Sequence, residues 1–145
     1  MTNDIKNLSI LLVEDNPVDV DLTLRAFKKQ NSVNNIVVAR DGEQALQQIE
    51  LWDVGGQIPV VILLDIKLPK VDGLEVLKTL KSHPVYHTIP VVILTSSGDD
   101  RDISQAYKLG ANSYIIKPVS FDKFIKVAAQ IELYWTGLNT SNIRI

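Results

Sequence analysis

Carboxylates stand where apolar runs stop: Glu14 and Asp15 close Ile10-Leu11-Leu12-Val13, and Asp65 closes Val60-Val61-Ile62-Leu63-Leu64. A run that is apolar on both faces belongs in a sheet covered on both sides, so acids at its C-terminal end emerge at the rim. Ligands of open α/β sheets bind at that rim. Thr95, after Val91-Val92-Ile93-Leu94, and Lys117, after Tyr114-Ile115-Ile116, are candidates for the same edge. Magnesium prefers oxygen ligands in octahedral geometry and keeps several waters, which suits two or three open carboxylates better than zinc would. A carboxylate can also attack a phosphoryl group and become an aspartyl phosphate. Asp65, alone at the end of the central run, is the choice for that nucleophile, while the adjacent Glu14 and Asp15 share the metal. In-line transfer spreads negative charge over three equatorial oxygens. Lys117 supplies a cation for one, the Thr95 hydroxyl a hydrogen bond for another, and backbone N–H groups near Ser96 serve a third. Lys117-Pro118 leaves open a cis bond that would fix how the lysine enters.

Five βα units must position these groups, because short apolar runs alternate with amphipathic segments along the whole chain. Strand 8–14 leads to a helix over about 17–30, with Asn16 as cap, Pro17 at the first helical position and Leu22, Ala26 and Phe27 buried. Ile36-Val37-Val38-Ala39 leads to a helix opened by an Asp41 cap with Gln44 three residues on, a capping-box pattern. Gly55-Gly56 and Pro59 mark a surface connection before the third strand. Residues 66–73 read as a loop, and a helix carrying Leu74, Val76, Leu77 and Leu80 runs to about Ser82. Pro84 and Pro90 frame the next loop. The fourth helix, about 100–109, ends at Gly110, and Ser120 caps a fifth with the stripe Phe124, Ile125, Ala128 and Ile131. Right-handed crossovers and short loops make a five-stranded, doubly wound parallel sheet the simplest α/β topology.

With 145 residues the chain is read as one domain, 1–145, with a core over about 7–135 and a tail over 136–145. No cysteine is present, which removes disulfides and thiolate metal sites and fits a reducing cytosol. Apolar stretches are too short to span a bilayer, and Met1-Thr2-Asn3-Asp4 does not resemble an export signal, so a cytoplasmic protein is expected. A net charge of −2, from 15 basic and 17 acidic residues, offers no field for a nucleic-acid backbone. Protein or small-molecule partners are expected instead.

Taken in order, Glu14-Asp15, Asp65 with Pro69 and Gly73 downstream, Thr95-Ser96 and Lys117-Pro118 resemble the receiver domains of two-component response regulators. The resemblance covers roughly residues 7–135, and the conjunction is specific where each motif alone is weak. It implies a flavodoxin-like (βα)5 fold and a phosphoryl group accepted on Asp65 from a sensor histidine kinase. It further implies Mg2+ held by Asp15 and Asp65, by Glu14 mainly through water, and by the backbone carbonyl of Lys67. Thr95 and Tyr114 fall on the family's switch positions, so the Thr95 hydroxyl moving inward would vacate space for Tyr114. Val13-Glu14-Asp15-Asn16-Pro17, with the aromatic C-terminal stretch, resembles the stand-alone regulators paired with bacterial phytochrome kinases. Lys67 and Ser97 flank the family's phosphate exit path, and neither is an acid or amide that orients water well, which implies a long-lived phosphoaspartate.

Each residue also has a plainer role. Glu14-Asp15 alone would be a solvated turn, Asp65 a cap, Thr95 and Ser96 strand-end polar residues, and Tyr114 a half-buried aromatic. His83 and His87 are four apart, but Pro84 between them prevents a helical pair, and they read as loop residues. Lys67, Lys70, Lys78 and Lys81 read as a solvated basic face, with docking to an acidic kinase surface as the alternative, and Asn3, Asn7, Asn139 and Asn142 as frayed ends. Tyr134 and Trp135 exceed what one helical stripe buries, pointing either to a homodimer or partner surface or to packing under the tail. Five units leave no room for an output domain, so a non-enzymatic, binding-mediated output is expected. An aspartyl-phosphate phosphatase or phosphotransferase is the rival, but Ile66 and Lys67 lack the second acid such chemistry uses. A flavodoxin-like nucleotide binder would need a glycine-rich loop where Glu14-Asp15-Asn16-Pro17 stands.

Overall fold

Alternating residues of each central strand go to opposite layers. Leu11, Val13, Ile62, Leu64, Val91 and Ile93 pack with one set of helices, while Ile10, Leu12, Val61, Leu63, Val92 and Leu94 pack with the other. That two-sided burial is why these strands read as unbroken apolar runs. In the computed structural model, which describes residues 8–29 and 34–142, the strands are β1 (Ser9–Val13), β2 (Asn35–Ala39), β3 (Val61–Leu64), β4 (Val91–Thr95) and β5 (Ser113–Ile116). All pair in parallel, in the order β2-β1-β3-β4-β5. The order reverses between β1 and β3, so a crevice opens at their C-terminal ends.

The helices are α1 (Pro17–Lys29), α2 (Gly42–Asp53), α3 (Gly73–Ser82), α4 (Asp100–Lys108) and α5 (Phe121–Leu133). Their caps follow the sequence closely. Asn16 Oδ1 accepts from the N–H groups of Val18 and Asp19, and Asp41 Oδ1 from that of Gln44. The Gln44 side chain, however, accepts from the N–H of Arg40 rather than reaching back to its cap residue. Gly110, at φ 105°, closes α4 with bonds from Gly110 N–H to Tyr107 and from Ala111 N–H to Ala106, the double closure that a left-handed residue allows.

Two elements go beyond the sequence reading. A 3-10 turn (Tyr86–Thr88) sits in the loop framed by prolines, and a π-helical turn (Tyr134–Leu138) carries the chain three residues past the expected end of the core. Neither has an apolar period long enough to register. β2 is only half-buried because it is an edge strand. The expected helix residue 30, the frayed Asn3 and Asn7 and the polar start Met1–Asp4 lie outside the described residues. Among the described residues no helix is long and apolar enough to cross a membrane.

Candidate functional site

Glu14, Asp65 and Lys117 are each the first residue past a strand, and the sheet still holds their backbones. Their N–H groups donate to Ala39, Val13 and Thr95 carbonyls at 2.9, 3.1 and 2.7 Å respectively. The ladder therefore fixes where each side chain leaves the rim. Carboxylate oxygens of Glu14, Asp15 and Asp65 all lie within 4.8 Å of one another, with Asp15 exposed and the other two buried. Three oxygen donors with one open side fit a hard divalent cation such as Mg2+ that keeps part of its water shell.

Lys117 Nζ sits among the acids. It donates to Glu14 Oε1 at 2.6 Å, Asp19 Oδ2 at 2.8 Å and Asp65 Oδ2 at 3.0 Å. Glu14 Oε2 also accepts from Asn16 N–H, and Asp65 Oδ1 from Ile66 N–H at 2.7 Å. Burial pushes the Glu14 carboxyl up to about 7, the neighbouring Asp65 charge adding to the rise and the Lys117 bond opposing it. Burial alone would pull the Lys117 ammonium down, but its bonds to Asp19 and Glu14 outweigh burial and hold it well above the ordinary lysine range. Lys117 therefore stays charged. The peptide bond between Lys117 and Pro118 is trans, so the cis geometry left open by the sequence is not adopted.

The loop after Asp65 is tightly constrained. Gly73 N–H donates to the Ile66 carbonyl, and a methyl at Gly73 would collide with the Asp65 carbonyl. Lys70 adopts φ 68°, a left-handed value rare for a side-chain-bearing residue, where Val71 N–H turns back to the Pro69 carbonyl. Steric demand thus explains the glycine in the motif.

A second network flanks the first. Thr95 is fully buried, with Ser97 N–H directed at its hydroxyl at 3.4 Å. The Tyr114 hydroxyl donates to the Ser97 carbonyl at 2.8 Å, and burial raises its pKa. Ser97 Oγ donates to Asp102 Oδ2 at 2.6 Å, and Lys67 Nζ approaches the same oxygen at 3.8 Å. Lys67, Ser97, Asp102 and Tyr114 therefore connect the loop after Asp65, the loop after β4, the first turn of α4 and β5.

Sequence reasoning missed Asp19 and Asp102. Both stand in the first turn of a helix, where an acid is ordinary and carries no distinguishing signal. Of the four lysines read as a solvated face, Lys67, Lys70 and Lys78 are exposed as expected and Lys81 is half-buried. Lys70 pairs with Asp41, and Lys81 Nζ donates to the carbonyls of His87 and Ile89 and to Asn112 Oδ1, clamping α3 to the following loop and to the residue just before β5. His83 is a loop residue as expected, with its Nδ1 accepting from Val85 and Tyr86 N–H and its ring stacked on Tyr86. Trp135 packs half-buried against the core, whereas Tyr134 stays 48 % exposed. Trp135 thus takes the packing role considered for it, and Tyr134 stays at the surface.

A parallel sheet with a buried lysine among acids at its switch point defines a phosphate-handling, cation-binding α/β protein. Residues 10–129 match the response regulator receiver domain family, and the chain belongs to that family. It is 44 % identical over 133 residues to the probable methanogenesis regulatory protein FilR2 of Methanothrix harundinacea, covering 91 % of this chain and 86 % of that protein. Response regulator Rcp1 of a Synechocystis species is 37 % identical over 129 residues, covering 87 % of each chain. The Mn(2+)-bound structure of Rcp1 matches with a TM-score of 0.87 at 33 % identity, covering 94 % of this chain and 99 % of that one. The phosphorylated cyanobacterial phytochrome response regulator RcpA matches with a TM-score of 0.90 at 34 % identity, covering 95 % of this chain and all of the other. Receiver domains take phosphoryl groups from histidine kinases and bind Mg2+ at an acidic pocket of the kind described above.

Proposed function

We propose that Asp65 is the phosphoacceptor of a single-domain, cytoplasmic response regulator that has no enzymatic output of its own. Its signal is a change in a protein-binding or dimer surface, and its kinase belongs to the phytochrome class. The observation that carries the reading is the buried Lys117 ammonium bonded to Asp65 within the acidic cluster. Glu14, Asp15, Asp65 and the carbonyl of Lys67 would hold the Mg2+, which shields the charge between the attacking carboxylate and the incoming phosphoryl group. Lys117 then balances one phosphoryl oxygen and the Thr95 hydroxyl binds another. Reorientation of Thr95 loosens the loop that Tyr114 holds through Ser97, so these two residues act as the switch. The likeness to RcpA and Rcp1 supports the phytochrome assignment.

A homodimer forms through the C-terminal side of the fold. Tyr134, Leu133 and Leu138 are exposed there, beside a groove of about 260 Å³ lined by Ser113, Ile115, Gln130 and Trp135. Nucleic acid and membrane are not partners, consistent with the net charge of −2. Incubation with Mg2+ and acetyl phosphate should label the protein stoichiometrically, and Asp65→Asn should abolish labelling. Multiple turnover of small phosphate esters would contradict the assignment and favour the phosphatase alternative.

A further inference from the structure

A lysine ammonium has three N–H donors, and Lys117 spends one on each of Glu14, Asp19 and Asp65. Glu14 and Asp65 also belong to the carboxylate cluster that suits a divalent cation, whereas Asp19 does not. A cation drawing on Glu14 and Asp65 therefore competes with Lys117 for the same carboxylates. It also brings two positive charges close together in a buried site, where their repulsion is weakly screened. Asp19 is the acceptor that the cation leaves to the lysine. It is held firmly: its N–H donates to Asn16 Oδ1, its carbonyl accepts from the Thr23 hydroxyl, and its side chain is only 20 % exposed.

We propose that Asp19 is a positioning residue for Lys117, a docking point that keeps the ammonium in the site while cation and phosphoryl group take the other carboxylates. This rests on the receiver-site reading and adds to it a fourth acid supplied by α1. Without the Asp19 carboxylate, Lys117 would commit to Glu14 and Asp65, and the cation would have to displace it. Removal of Asp19 should therefore weaken cation binding through Lys117, over and above the loss of one negative charge nearby.

Calorimetric titration with Mg2+ alone, on the full chain, separates these effects in a double-mutant cycle. The four proteins are wild type, Asp19→Asn, Lys117→Gln and the double variant; glutamine keeps hydrogen-bond donors for the acids and so spares the rim. Asp19→Asn should weaken Mg2+ binding about tenfold in the wild-type background and less than about twofold beside Lys117→Gln. Equal factors in both backgrounds would reduce Asp19 to a field effect and overturn the proposal, as would no change in either. If wild type binds no Mg2+ while Asp65 is still labelled by acetyl phosphate, the proposal also falls, but the receiver reading stands. Failure of both would remove the assignment of Asp65 as a phosphoacceptor itself.

Discussion

Helices α3 and α4 are neighbours of similar length on one face of the sheet, yet they are held by different physics. α3 buries Gly73, Val76, Leu77 and Leu80, and Leu77 is wholly inaccessible. α4 buries Ala106 alone. What holds α4 is polar and lies at its ends: the Asp99 cap on Arg101 N–H, the Ser97–Asp102 bond, the distant Lys67–Asp102 pair and the Gly110 closure. Apolar burial is indifferent to a charge arriving at the rim, whereas polar ties next to the rim can be exchanged. The difference makes α4 the more readily exchanged of the two, so on the function proposed above α4 is the helix that phosphorylation would release and α3 the frame it would move against.

The contrast can be broken at either helix. Leu77→Ala should cost about 3 kcal/mol of stability, because it empties a fully enclosed site. Ile103→Ala, on the partly exposed face of α4, should cost only about 1 kcal/mol, and urea unfolding of both variants compares them directly. Equal losses would remove the claimed asymmetry. Gly73→Ala should cost about 2 kcal/mol by driving a methyl into the Asp65 carbonyl, and should slow labelling of Asp65 at saturating phosphodonor. Tyr114→Phe should cost about 1 kcal/mol, reflecting the lost bond to Ser97, and should speed amide exchange in 97–109 while leaving 74–82 unchanged. Lys67→Met should change stability by less than about 1 kcal/mol, since the pair is long and the lysine 70 % exposed. A larger loss would mean that the Lys67–Asp102 pair is a stronger tie than its geometry indicates.

The fold and the acidic half of the site were legible because both depend on local patterns. Apolar runs ending in acids mark strand ends, and a shared sheet then gathers those ends whatever their separation in sequence. Asn16, Asp41, Gly110 and Ser120 announced helix boundaries for the same local reason. Asp19 was not legible because its role depends on Lys117 arriving from 98 positions away, and Asp102 because an acid in the first turn of a helix is ordinary. The clamp made by Lys81 was hidden in the same way, its carbonyl partners being common to every residue. The π-helical turn had no apolar period to reveal it, and only packing separates half-buried Trp135 from exposed Tyr134.

The central claim is that a phosphoryl group on Asp65 is read at α4 and β5. Hydrogen exchange followed by mass spectrometry, on the Mg2+-loaded protein with and without acetyl phosphate, tests it residue range by residue range. The account predicts altered exchange across 97–117 and unchanged exchange across 74–82. Altered exchange in α3 with α4 unaffected, or no change in either, would contradict it.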